Sequence, residues 1–162
     1  MLREISAGGV VLRKQAGDLW VAVIEPPHQP EAHPATRPQK RAKPVLALPK
    51  GLVDAGEKPV ETALREVCEE TGVTAELVAK LGDIKYIYTR SWDDGGRVFK
   101  IVSFYLMRYR SGRIDEIAPE MRIEVARAAW VRLEDATKLL AYKGERQMAQ
   151  LAQAYVDDHP EF

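Results

Sequence analysis

The 162-residue sequence has a single cysteine, Cys68. That excludes an intrachain disulfide and any zinc site built from several thiolates. The three histidines, His28, His33 and His159, follow no recognisable ligand spacing. No apolar run approaches the roughly 20 residues that span a bilayer. The opening Met1-Leu2-Arg3-Glu4-Ile5 lacks the apolar core of a secretory signal, so a cytoplasmic compartment and no membrane partner are expected. There is no excess of charge either: 24 Lys and Arg balance 24 Asp and Glu. A general nucleic-acid or membrane-surface binder needs a large cationic excess, so no DNA partner is expected. A local basic cleft for one anionic ligand is compatible with this balance.

The length fits one domain over residues 1–162, with no internal repeat and no linker. Ile5 to Arg13 reads as a strand interrupted by Gly8 and Gly9, as at a bulge or close backbone approach. Gly17-Asp18 is a turn signal, and Leu19 to Glu25 reads as the partner strand of a hairpin. Pro26 to Pro44 carries six prolines among basic residues and reads as a long loop insertion. Its basic half could meet an anionic ligand or simply be solvated. Strands are expected at Leu77 to Tyr88, Val98 to Tyr109 and Ala128 to Leu133, with an irregular stretch from Arg110 to Met121. One or two helices follow from Glu134 onward. Strands and helices mix without strict alternation, which favours a mixed sheet with helices packed on it.

Pro59 to Thr71 has the strongest helical pattern. Pro59 suits the first turn, Val60, Ala63, Leu64 and Val67 repeat at the spacing of one buried face, and Gly72 suits a left-handed C-cap. Glu66, Glu69 and Glu70 fall within an arc of about 100° beside that face, so three carboxylates are expected at its rim. Like charges at this spacing repel by a few tenths of a kcal/mol per pair, and the helix C-terminus disfavours anions further. A hard divalent cation turns that cost into a binding site. The alternative is a solvated acidic face partly neutralised by Arg65 and Lys58.

The surrounding spacing bears on the choice. Gly51, five residues, Glu57, seven residues, then Arg65-Glu66-Val67-Cys68-Glu69-Glu70-Thr71-Gly72-Val73 satisfies every fixed position of G-x5-E-x7-R-E-U-x-E-E-x-G-U, with U aliphatic. At average residue frequencies the chance of this is roughly 10⁻⁸ to 10⁻⁷. The stretch resembles the box of the Nudix hydrolases. The resemblance implies an α/β/α sandwich with a mixed central sheet and Mg²⁺-dependent hydrolysis of a pyrophosphate bond, with Mn²⁺ a possible substitute. By the same resemblance Glu66, Glu69, Glu70 and the Gly51 carbonyl hold the metal, and Glu57 with Arg65 forms a positioning salt bridge. Lys50, just before the box, is placed to contact a phosphate or to be a surface lysine. A further acidic residue outside the box often serves as base or extra ligand in this family. Among Glu116, Glu120 and Glu124 the favoured one is Glu124, a few residues before Trp130-Val131. Whether Glu66, Glu70 or Glu124 activates water stays open.

Beyond the box, Ser6 to Val11, Leu48-Pro49-Lys50-Gly51, Phe104-Tyr105-Leu106, Trp130-Val131 and Leu140-Ala141-Tyr142 look most like the asymmetric diadenosine tetraphosphate hydrolases of the MutT-like branch. That resemblance implies a small nucleotide-like substrate, first diadenosine tetraphosphate cut to ATP plus AMP. Tyr142 and either Tyr86 or Tyr88 would stack on a base. ADP-ribose or a nucleotide sugar, a damaged nucleoside triphosphate, a diphosphoinositol polyphosphate and an RNA 5′-pyrophosphate are the alternatives. A nucleotide-sensing module without turnover is the reading from another class. A homodimer is possible, since Nudix proteins often pair, though no interface stripe stands out.

Overall fold

The computed structural model describes residues 1–27, 45–90 and 95–162. Most of the Pro-rich loop, with His28 and His33, and most of the turn at Ser91 to Gly96 lie outside the described residues. The elements are β1 (Leu2–Gln15), β2 (Asp18–Glu25), β3 (Lys50–Leu52), α1 (Pro59–Thr71), β4 (Val73–Thr89), β5 (Arg97–Gly112), a 3₁₀ turn (Pro119–Ile123), β6 (Arg127–Arg132), α2 (Leu133–Leu139) and α3 (Lys143–Asp158).

The strands form one mixed sheet in the order β4-β5-β1-β2-β6, with β3 paired to β1. Strand β1 runs parallel to β5 and antiparallel to both β2 and β3. Its residues alternate between two layers. Val10 and Leu12 pack with α2 and α3 through Leu133, Leu140 and Met148, whereas Ala7 and Val11 pack with α1 through Ala63 and Val67. Both faces are therefore covered by helices, and the architecture is the expected α/β/α sandwich.

Several local expectations shift. The hairpin turn is Ala16-Gly17, one residue earlier than Gly17-Asp18, because Asp18 pairs with Gln15. Both turn residues take positive φ, 53° and 82°, the geometry that matches strand twist in a two-residue hairpin. The stretch expected to be irregular from Arg110 begins as strand, since Ser111 and Gly112 pair with Thr74 and Val73. It then holds the 3₁₀ turn. Lys50–Leu52, unassigned from the sequence, is a strand because Ala7 pairs with Gly51.

The run before β3 is fixed from two sides. Ala47 exchanges backbone hydrogen bonds with Ile24, and Leu46 accepts the N–H of Ala141 in the α2–α3 connection. This carries Lys50 and Gly51 over α1 and brings the start of α3 beside them.

Candidate active site

Helix α1 starts and stops where its sequence allows. The Glu61 carboxylate accepts the Lys58 N–H at 3.0 Å, satisfying an otherwise orphan donor. Gly72 closes the last turn at φ 83° with its N–H on Cys68 O. The buried arc, however, is not the expected one. It comprises Thr62, Ala63, Glu66, Val67, Glu70 and Thr71, while Val60 and Leu64 are half-buried. Glu66 and Glu70 thus lie inside the packed face, at 8% and 5% exposure, and only Glu69 stands at solvent. The reason is tertiary: β3 crosses this part of the helix. A Cβ on Gly51 would overlap the Glu66 carboxylate, so only glycine lets the backbone pass so close.

Two kinds of carboxylate result. Glu57 receives the fork of Arg65, from Nε at 2.7 Å and Nη2 at 3.0 Å, plus the Thr62 hydroxyl at 2.6 Å. These donors, Arg65 foremost, hold its pKa down at about 2. Glu70 accepts the Lys50 backbone N–H at 2.8 Å, but burial dominates and pushes its pKa up to about 8. Burial also raises Glu66, against the opposing pull of Arg65. Arg65 Nη1 reaches Glu66 at 2.9 Å and Glu69 at 3.1 Å, so one guanidinium ties both of them to Glu57.

Glu124, the exposed residue closing the 3₁₀ turn, lies close enough that its charge raises both Glu66 and Glu70. Glu116 and Glu120 instead line a cavity with Cys68 and Glu69. Of the three candidates, Glu124 is the one that ranks among the main influences on both buried carboxylates.

Among the described residues no three acidic, histidine or cysteine side chains already close around one point. The donor set nevertheless suits Mg²⁺. It consists of hard oxygens, two of them on desolvated carboxylates, beside a glycine whose missing Cβ leaves a cradle. Mg²⁺ keeps several waters and binds through a few carboxylates plus substrate phosphates, so no closed protein cage is required.

Lys50 joins this cluster to a second feature. Its N–H serves Glu70, while its ammonium pairs with Glu145 at 2.6 Å and lies 5.4 Å from the centre of the Tyr142 ring. Glu145, in the first turn of α3, is 3% exposed and also accepts the Leu48 N–H at 2.6 Å. A cavity of about 390 Å³ opens here between Lys50, Glu145, Tyr86 and Tyr142, floored by Val102 and Phe104. Tyr86 and Tyr142, 44% and 53% exposed, face it from the sheet and from the N-cap of α3. Tyr88 shares the sheet face of Tyr86, but its hydroxyl donates to Glu4 at 2.7 Å and it does not line the cavity. Sequence reasoning missed Glu145. Its only signal, an acidic residue in the first turn of a helix, is what any helix N-terminus favours.

The chain matches the NUDIX domain family over residues 3–154. It is 36% identical over 158 residues to the putative mutator protein MutT4 of Mycobacterium tuberculosis, covering 96% of this chain and 57% of that protein. An ADP-ribose pyrophosphatase of Bacillus subtilis is 33% identical over 96 residues, 59% of this chain and 48% of that one. The chain thus spans about half the length of these two relatives. Among solved structures, a Caenorhabditis elegans Ap4A hydrolase in a binary complex superposes with a TM-score of 0.68 at 22% identity, covering 96% of this chain and 98% of that one.

Proposed function

Because the chain belongs to the Nudix family, we propose that it is a pyrophosphohydrolase acting on a nucleoside diphosphate linked to a second group, diadenosine tetraphosphate being the first choice. The observation that carries this reading is Lys50, which reaches the buried carboxylates with its backbone and the tyrosine-flanked cavity with its side chain. A substrate whose ring sits between Tyr86 and Tyr142 therefore presents its phosphates to α1. Stacking on such rings contributes about 1–3 kcal/mol per base and tolerates different bases.

Glu66, Glu69, Glu70 and the Gly51 carbonyl hold Mg²⁺, or Mn²⁺ in its place, and the ion supplies charge neutralisation on the phosphates. Glu57 and Arg65 position the helix and touch no substrate. Among the described residues the Glu124 carboxylate has no ion pair and no side-chain hydrogen bond, which suits a group that must accept a proton from water. Water attacks one phosphorus, one P–O–P bond breaks, and diadenosine tetraphosphate plus water becomes ATP plus AMP. The likeness to the Caenorhabditis elegans Ap4A hydrolase is one of fold and supports this choice only to that extent.

ADP-ribose is the second reading, favoured by the identity to the Bacillus subtilis ADP-ribose pyrophosphatase. The two differ in what lies beyond the diphosphate. Chromatography of products after incubation with Mg²⁺ separates them. ATP plus AMP from diadenosine tetraphosphate supports the first, AMP plus ribose 5-phosphate from ADP-ribose supports the second, and absence of metal-dependent turnover on either sinks both.

A further inference from the structure

Two non-glycine residues have positive φ among the described residues, Ala16 in the hairpin turn and Asp115 at φ 72°. Aspartate tolerates this region when its short side chain finds local partners, and Asp115 finds several. Its N–H donates to the carbonyl of Thr71 at 2.9 Å. One carboxylate oxygen accepts Arg122 Nη1 and the Ala128 N–H, both at 2.8 Å. Its carbonyl accepts Arg122 Nη2 at 2.7 Å and the Ile117 N–H at 3.1 Å. Arg122 Nη1 also donates to Ala126 O at 3.1 Å.

These bonds enclose Glu124. It lies between Arg122 and Ala126, the two residues held by the clamp. The next residue, Val125, is fully buried with its N–H on Met121, and the Ala126 N–H is tied to Glu25. At its other end the clamp grips Thr71, the residue after Glu70. Asp115 therefore connects the end of the helix carrying the buried carboxylates to the turn carrying Glu124. The Arg122–Asp115 pair is partly exposed, and such pairs contribute little as isolated charges. Its consequence is geometric.

We propose that Asp115 is a positioning residue that sets the Glu124 carboxylate against Glu66 and Glu70 by holding the 3₁₀ turn through Arg122. This rests on the reading of Glu124 as the group that activates water.

A double-mutant cycle tests it. Glu124→Gln is expected to lower kcat by about 10²- to 10⁴-fold. Asp115→Gly, which suits the backbone but removes the carboxylate, lowers kcat by roughly 10- to 10²-fold through misplacement. KM moves far less, as expected when only transition-state contacts are lost. Asp115→Asn, which keeps an acceptor for Ala128, recovers most of the rate. In the Glu124→Gln background Asp115→Gly costs less than about twofold, the sign of a shared pathway. In metal-free protein, amide exchange of Asp115→Gly speeds up at Val125 and Ala126 and is unchanged in the middle of α1. Equal losses in both backgrounds, or faster exchange with unchanged kcat, overturn the positioning role. If Glu124→Gln turns over like the parent, the reading of Glu124 itself has failed and the positioning role falls with it. Should Asp115→Gly not fold, Arg122→Gln runs the same cycle with Asp115 in place.

Discussion

Glu57 and Glu70 belong to one loop–helix segment, yet their carboxyls titrate on opposite sides of the ordinary value, about 2 for Glu57 and about 8 for Glu70. At Glu57 the Arg65 fork, the Thr62 hydroxyl and the Asp54 N–H fill the lone pairs, so the carboxylate acts as a strut with little left for a ligand. Among the described residues Glu70 has one backbone donor and no counter-ion in contact, with the charges of Glu66 and Glu124 nearby. A carboxylate in that position is costly to ionise, and a bound cation offsets the cost. On the proposed reading, the difference separates the residue that holds the helix from those that would hold a ligand, although all are glutamates of the same motif.

The comparison breaks first, and with the largest effect, at Glu70→Gln. Turnover is expected to fall by about 10²- to 10⁴-fold. The metal-free protein should melt at the same or a higher temperature, because a neutral amide replaces a desolvated carboxylate. A clear fall in its Tm would mean that Glu70 is a structural residue like Glu57.

Glu57→Gln should do the reverse, lowering Tm and reducing turnover by only about 10- to 10²-fold, as loss of a group that orients ligands does. Its pH signature follows from the sign of the shift. The pKa falls from an ordinary 4.5 to about 2 on folding, so the folded state binds this proton less tightly than the unfolded chain. The Glu57 contribution is present above the ordinary value and lost as pH falls from there through about 2. Acid unfolding followed by circular dichroism should show this loss in the parent and not in Glu57→Gln.

A smaller effect contrasts the tyrosines. Tyr142→Ala removes a ring from the cavity wall and should raise KM about 5- to 150-fold if stacking contributes 1–3 kcal/mol. Tyr88→Phe breaks only the bond to Glu4 and should change KM less than about threefold. Initial-rate kinetics on diadenosine tetraphosphate and ADP-ribose measure both; equal effects would place Tyr88 in the binding site as well.

Legibility followed the range of each interaction. The bounds of α1, its Pro59 start and its Gly72 stop were readable because caps are local. The partnership of Glu57 with Arg65 came from the family resemblance, and the structure shows how the seven intervening residues fold to allow it. Strand cores are legible from their apolar runs, but most ends lie further out than those runs, since pairing to a neighbour extends a strand past its apolar residues, as at Ser111 and Gly112. The last strand is the exception, because Leu133, expected in it, is the first residue of α2. Tyr86 and Tyr88 could not be told apart, being two residues apart on one face. Asp115 carried no signal, because a left-handed aspartate in a polar stretch looks like any turn residue.

By itself the sequence determined the loop–helix, the family and the clustering of three glutamates on one side of α1, all of which depend on neighbours within a few turns of chain. The tertiary structure decided which of those glutamates are buried, that Lys50 pairs with Glu145, and which tyrosine meets the cavity. Lys50 and Glu145 are 95 positions apart, and no local period specifies that contact. It forms because β3 pairs with β1, and because the α2–α3 connection docks on Leu46, bringing the start of α3 to the same edge of the sheet.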